Sequence, residues 1–181
     1  MLLFLLLSFI TVFFLVGGIF FLKMNEQNLP RWEKLPRSRT AGGILGLAAL
    51  LAFIPNVKPL FSPEQNLWWL IPAALILAVL CYLYLDHLFA RAAAGGLILL
   101  VHCVLNETYS ADLAGSSLFA LLSLAGGTYA IYIAAKPYCL RDSFRAMCLH
   151  RKWRLTGAVF SFLWSLSSLI LLIQQAGRIV K

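Results

Sequence analysis

Residues 2–39 read LLFLLLSFITVFFLVGGIFFLKMNEQNLPRWEKLPRSR. From Leu2 to Leu22 no side chain is charged; Lys23, Arg31, Lys34, Arg37 and Arg39 then follow in quick succession. About 20 apolar residues are needed to cross the ~30 Å hydrocarbon layer of a bilayer. Basic connectors resist translocation and stay on the cytosolic side. The stretch therefore reads as a spanning helix that enters the cytosol at Lys23, with Pro30 and Pro36 preventing one long helix through the connector. It lacks a basic leading segment and a clear small-x-small cleavage site before Lys23, so a retained span is expected rather than a cleaved signal peptide.

Working outward, the apolar runs give six spans, at about residues 2–22, 40–57, 67–85, 92–109, 113–135 and 155–173. Of the fifteen Lys and Arg residues, only Lys58, Arg178 and Lys181 fall outside the cytosolic connectors of this scheme. That asymmetry supports both the span count and the orientation, with both termini on the non-cytosolic face. Small size and short loops favour a bacterial inner membrane. Composition agrees. The 181 residues are 61% hydrophobic and 12% charged, against about 25% charged in soluble domains, which leaves too little polar surface to face water. The net charge of +8 would suggest nucleic acid in a soluble protein; in the connectors of a membrane protein it marks orientation and anionic headgroups instead.

Local signals refine the spans. Ser62-Pro63-Glu64-Gln65 has the form of a helix start. Trp68 and Trp69 at one end of the third span, and Tyr82 and Tyr84 at the other, form an aromatic belt. The fourth span is the weakest: residues 92–106 cover about 22 Å at 1.5 Å per residue, so it either extends through Tyr109, is sheltered, or stops short. Ser116, Ala120, Ser123, Gly127, Ala130 and Ala134 place a stripe of small residues on one face of the fifth span, and Gly42, Gly46 and Ala49 do so on the second. Small residues allow the close backbone approach that drives helix association in lipid. Spans 2, 4 and 6 each open with Arg followed by small residues, at Arg39, Arg91 and Arg154, a weak internal echo.

Residues 137–154 read as an amphipathic interfacial helix before the last span. Leu140, Phe144, Met147 and Cys148 form its apolar strip; Arg141, Arg145, Arg151, Lys152 and Arg154 are placed to contact lipid headgroups or a partner protein.

Candidate chemistry is sparse. His102 is the ionisable side chain deepest in a span, about 16 Å beyond Arg91. With Ser161, Ser165 and Ser168 on one face of the last span, it could line a polar path, although packing explains the serines as well. Asp86, His87 and Arg91 cluster at a cytosolic turn, where a site against headgroups would form. Glu107 and Asp112 flank the opposite turn. Cys139 and Cys148 are nine residues apart, about 900° around a helix, and so lie on opposite faces; with His150 they do not present a zinc site. There is no phosphate-binding glycine loop, nucleophile elbow, HExxH or CxxC. Cysteines in spans or a cytosolic loop imply no disulfide framework.

The sequence thus predicts an all-α integral membrane protein, a single domain of about six transmembrane helices. The expected role is an accessory or structural subunit, or a lipid-contacting scaffold, with no cofactor, no metal and no nucleic-acid partner; its partners are the bilayer and another membrane protein or a second copy. The alternatives are a small permease or channel with a path through His102, and a lipid-modifying enzyme at the cytosolic interface.

Overall fold

A computed structural model describes residues 2–57, 67–111, 113 and 115–179. These residues are 93% helical and include no strand. A helix satisfies its backbone hydrogen bonds within one segment, the condition hydrocarbon imposes on any crossing chain. The helices are α1 (Leu2–Lys23), α2 (Leu29–Lys34), α3 (Arg39–Val57), α4 (Leu70–Tyr84), α5 (Leu88–Ala111), α6 (Ser116–Ala135), α7 (Tyr138–Leu149) and α8 (Arg151–Ile179), with 3-10 turns at Glu26–Asn28, Leu35–Arg37 and Leu67–Trp69.

Four of them, α1, α5, α6 and α8, are long and apolar enough to cross a membrane, which marks an integral membrane protein. The other two apolar helices, α3 and α4, are shorter; the 15 residues of α4 rise about 22 Å. The fourth sequence run is longer than its weakest reading allowed. It starts at Leu88, so Arg91 lies inside its first turn, and it continues through Glu107 to Ala111. The last span is longer as well, helical from Arg151 to Ile179. The expected helix start at residues 62–65 and the side chain of Asp112 lie outside the described residues.

The surface has the polarity that lipid requires. Leu5, Phe9, Val12, Phe13 and Val16 of α1 are exposed, as are Leu118, Leu121, Leu124 and Ile131 of α6 and Val159, Leu166 and Ile170 of α8. Soluble monomers rarely expose apolar patches of that extent.

The chain divides into two compact units. The first comprises Met1–Leu29, Leu100–Thr128 and Ser143–Lys181. Its centre is the α1–α8 pair. Leu3, Leu7, Ile10 and Phe14, spaced by three and four residues, form the buried face of α1. Phe14 stacks on Trp164 with ring centroids 4.0 Å apart, while Thr11 meets Ser168 and Gly18 faces Phe162. Contacts that climb α1 descend α8, so the two run antiparallel. At the end of α1 the Arg154 guanidinium donates to the Met24 carbonyl at 2.6 Å, a cation on the exposed carbonyls of a helix C-terminus.

Small residues do what their spacing predicts. In this unit Ser123 and Gly127 of α6 are buried. A Cβ on Gly127 would touch Val101 of α5 at 3.4 Å, and one on its neighbour Gly126 would overlap the Trp164 ring.

The second unit comprises Pro30–Leu99 and Tyr129–Asp142. Ser38, in extended conformation, ends the preceding turn, and its hydroxyl accepts from the Ala41 amide at 3.2 Å; it is the N-cap that starts α3. A Cβ at Gly42 would lie 2.8 Å from the Leu88 carbonyl carbon, and one at Gly46 3.6 Å from the Ala92 Cβ; Ala49 meets Gly96. These contacts advance together along both helices, so α3 and α5 lie parallel, small face to small face. The α4 helix returns between their sequence positions, with Tyr82 against Gly43. Ala90, Ala94 and Ile133 form a buried cluster joined by Ala134 and Leu140, which seats the start of α7.

Candidate functional site

The turn from α4 to α5 carries two ionisable side chains, Asp86 and His87. The α4 helix ends where Leu85 becomes extended, its amide still bonded to the Cys81 carbonyl at 3.0 Å. Only Asp86 and His87 intervene before α5, and His87 reverses the chain with φ of 55°. Few residues with a side chain adopt that left-handed region, though His does so more often than most. The Arg91 amide then bonds the His87 carbonyl at 3.3 Å, the first turn of α5.

Asp86 and His87 line a cleft of about 330 Å³ with Arg37 and Arg39. Arg39 Nη2 lies 3.9 Å from Asp86 Oδ1, and the two side chains are 57% and 90% exposed. Such a pair in water contributes little, so the carboxylate does not fix the guanidinium in place. The His87 Nδ1 atom is buried without a hydrogen-bond partner among the described residues. The cleft is thus lined by two guanidinium groups and the His87 ring, with a single, loosely held carboxylate.

The sequence grouped Asp86 and His87 with Arg91. The structure keeps the first two together, adds Arg37 and Arg39, and places Arg91 in a different cleft. That second cleft, about 240 Å³, is lined by α3, α4 and α5, including Gly46, Leu50, Ala78, Cys81, Leu88 and Gly95. Its lining is apolar apart from Arg91. Arg37 and Arg39 were missed because they lie some 50 positions from His87, and only the parallel docking of α3 and α5 joins them.

His102 is exposed on α5, whereas Ser161, Ser165 and Ser168 are 3%, 4% and 0% exposed. Ser165 Oγ donates to the Thr11 carbonyl at 2.9 Å. Ser168 Oγ lies 2.9 Å from both Thr11 Oγ1 and the Ser165 carbonyl. Thr11 Oγ1 also lies 2.7 Å from the Leu7 carbonyl; with one proton on each of the Thr11 and Ser168 hydroxyls, one of the two donates across to the other while the remaining one donates to a backbone carbonyl. The hydroxyls of Ser165 and Ser168 thus fasten α8 to α1. Thr11 and Trp164, the centre of that contact, did not stand out in the sequence; a Trp in mid-span, far from either interface, was the available signal.

On α7, Leu140 packs on the Ala90–Ala94–Ile133 cluster, Cys148 is buried, and the Met147 methyl lies 3.1 Å from where a Cβ on Gly157 would stand. Arg141 pairs with Asp142 at 2.9 Å; Arg145, Arg151 and Lys152 are exposed. Arg154 differs from these, being half-buried and committed to Met24. Glu107 is half-buried. Among the described residues no three His, Cys, Asp or Glu side chains are grouped as a metal ion would require.

No protein-family model, no curated protein and no solved structure matches this chain.

Proposed function

We propose that the chain is a non-catalytic membrane component that crosses the bilayer six times, with α3 and α4 as its two short crossings. It acts as an accessory or structural subunit, or as a lipid-contacting scaffold, of a membrane assembly. The basic connectors face the cytosol, both termini face the opposite side, and a bacterial inner membrane is the setting. The observation that carries this reading is the use made of hydroxyls within the spans: Thr11, Ser165 and Ser168 bond to one another and to backbone, joining α1 to α8. Side chains that could have served a solute serve helix packing. The exposure of His102 supports the same reading over a path through the protein. The basic residues of α7 and its neighbourhood, the half-buried Arg141 and the exposed Arg145, Arg151 and Lys152, supply a surface for anionic headgroups or a partner.

Purification in a mild detergent, followed by mass measurement of the intact complex, tests the proposal. A homo-oligomer or a co-purifying membrane protein is the expected result; a lone monomer in every mild detergent contradicts it.

One observation favours a second reading, a lipid-modifying enzyme at the cytosolic face. The Asp86 carboxylate, the His87 imidazole and two arginines share one cleft, and His87 Nδ1 has no hydrogen-bond partner among the described residues. Turnover of a phospholipid by purified protein, lost in the His87→Gln variant, would establish it; inertness toward phospholipids removes it.

A further inference from the structure

The two clefts of the second unit begin at the same place. Asp86 and His87 lead directly into Leu88, and Leu88 and Arg91 open the apolar cleft. On the other side Arg37 and Arg39 lead into α3, whose Gly42, Gly46 and Leu50 continue along that cleft. A charged mouth is thus followed by an apolar channel along the same pair of parallel helices. From Leu88 to Leu99 the channel rises about 16 Å, half of the ~30 Å hydrocarbon layer and so one leaflet deep. Its volume of about 240 Å³ lies below the roughly 300–1,000 Å³ of a drug-sized pocket, as suits a single chain rather than a bulky ring system.

The charges select the occupant. Arg37 and Arg39 at the mouth, with Arg91 just inside it, outnumber the single carboxylate of Asp86. Arginine binds phosphate through paired N–H donors, and the N-termini of α3 and α5 add positive potential at the same end. We infer that α3, α4 and α5 form a specific site for one anionic phospholipid, its phosphate held by Arg37, Arg39 and His87 and one acyl chain lying between Gly46, Ala78 and Leu99, with Arg91 at the level of the ester groups. The inference deepens the lipid-contacting part of the proposed function and rests on it.

Native mass spectrometry of the detergent-purified protein, titrated with phosphatidylglycerol or phosphatidylcholine, tests the site. The expected result is a single retained phosphatidylglycerol at concentrations where phosphatidylcholine is lost. Arg37→Gln with Arg39→Gln is expected to weaken that binding about tenfold or more. Ala78→Phe, which fills the channel and leaves every charge in place, is expected to weaken it comparably. Lys23→Gln with Lys136→Gln, both exposed and outside either proposed lipid surface, serves as an equal loss of charge elsewhere and is expected to leave it within twofold. Helix content and elution volume of each variant verify folding.

Equal retention of both lipids, or equal weakening by the two charge-removing pairs, overturns the inference. So does an Ala78→Phe variant of unchanged affinity from which millimolar inorganic phosphate displaces the lipid, because the mouth is then a free-phosphate pocket. The same spectra separate the two proposals: a lone monomer carrying one lipid contradicts the scaffold and keeps the site, whereas an oligomer without selective lipid does the reverse.

Discussion

Replacing Gly126 with Ala adds one methyl group where the structure has an indole. The new Cβ overlaps Trp164 Cη2 and Cζ3 and lies 3.6 Å from Cε3. The ring has little room to withdraw: Trp164 is 2% exposed, stacks on Phe14 at 4.0 Å and 21°, and meets Phe160 edge-on at 5.5 Å. Overpacking of this kind costs about 1–3 kcal/mol, and a displaced aromatic pair loses about 0.5–1.5 kcal/mol. The better helix propensity of Ala returns about 1 kcal/mol, so the balance is a destabilisation near 2 kcal/mol. Gly17→Ala is the control, since nothing lies within 4 Å of a Cβ there; it is expected to be neutral or stabilising. Unfolding of purified protein in mixed micelles with rising SDS fraction, followed by Trp fluorescence and circular dichroism, measures both variants. Adding Trp164→Leu to Gly126→Ala makes room for the methyl, so the double variant is expected to lose less than the sum of the two single losses, with a coupling within the 0.5–3 kcal/mol range known for touching residues, about 1 kcal/mol or more here. If Gly126→Ala is as stable as Gly17→Ala, or if the double variant is strictly additive, the close approach of α6 to α8 is wrong.

Further outcomes follow from other contacts. At Gly42 a Cβ would meet the backbone of Leu88 and Phe89, which cannot rotate away; Gly42→Ala is expected to cost about 2 kcal/mol while Gly46→Ala, in ordinary contact with Ala92, is tolerated, as read by the same SDS titration. Thr11→Val removes a hydroxyl shared with Ser168, and a double-mutant cycle with Ser168→Ala is expected to give a coupling of about 0.6 kcal/mol, the mean for hydrogen bonds between membrane helices; zero coupling contradicts the pairing. Arg154→Gln loses the charged bond to Met24, expected to cost about 1.5 kcal/mol, the low end for a charged donor because the group is half-buried; limited proteolysis near Met24 should accelerate, and Arg154→Lys should recover part of the loss.

Helices were legible in the sequence because hydrocarbon leaves so few alternatives; their ends were less so. Arg91 looked like a boundary, but a long cationic side chain at the start of a span reaches back to the interface, so α5 begins before it. Likewise Asn106 and Glu107 did not end that helix, because polar residues at the membrane surface are no barrier to helical backbone. The small-residue faces of α6 and α3 were legible from spacing alone, since every fourth or third residue shares a face. What spacing does not reveal is the partner. Nothing near Gly126 indicated that its neighbour would be Trp164, and nothing near Ser168 indicated Thr11. For the same reason the sequence found Asp86 and His87 and missed Arg37 and Arg39: adjacency within a turn is local, whereas the cleft comes from tertiary docking of α3 on α5.

Cysteine accessibility tests the six-crossing account most directly. In a chain whose native cysteines are replaced by Ala or Ser, single cysteines at Ser38, Ser62, Ser110 and Ser143 would be challenged with a membrane-impermeant maleimide in intact cells and again after permeabilisation. The account predicts labelling of positions 62 and 110 in intact cells, and of 38 and 143 only after permeabilisation. Labelling of 38 and 62 from the same side would mean that α3 does not cross, and that the basic connectors are not held on one face.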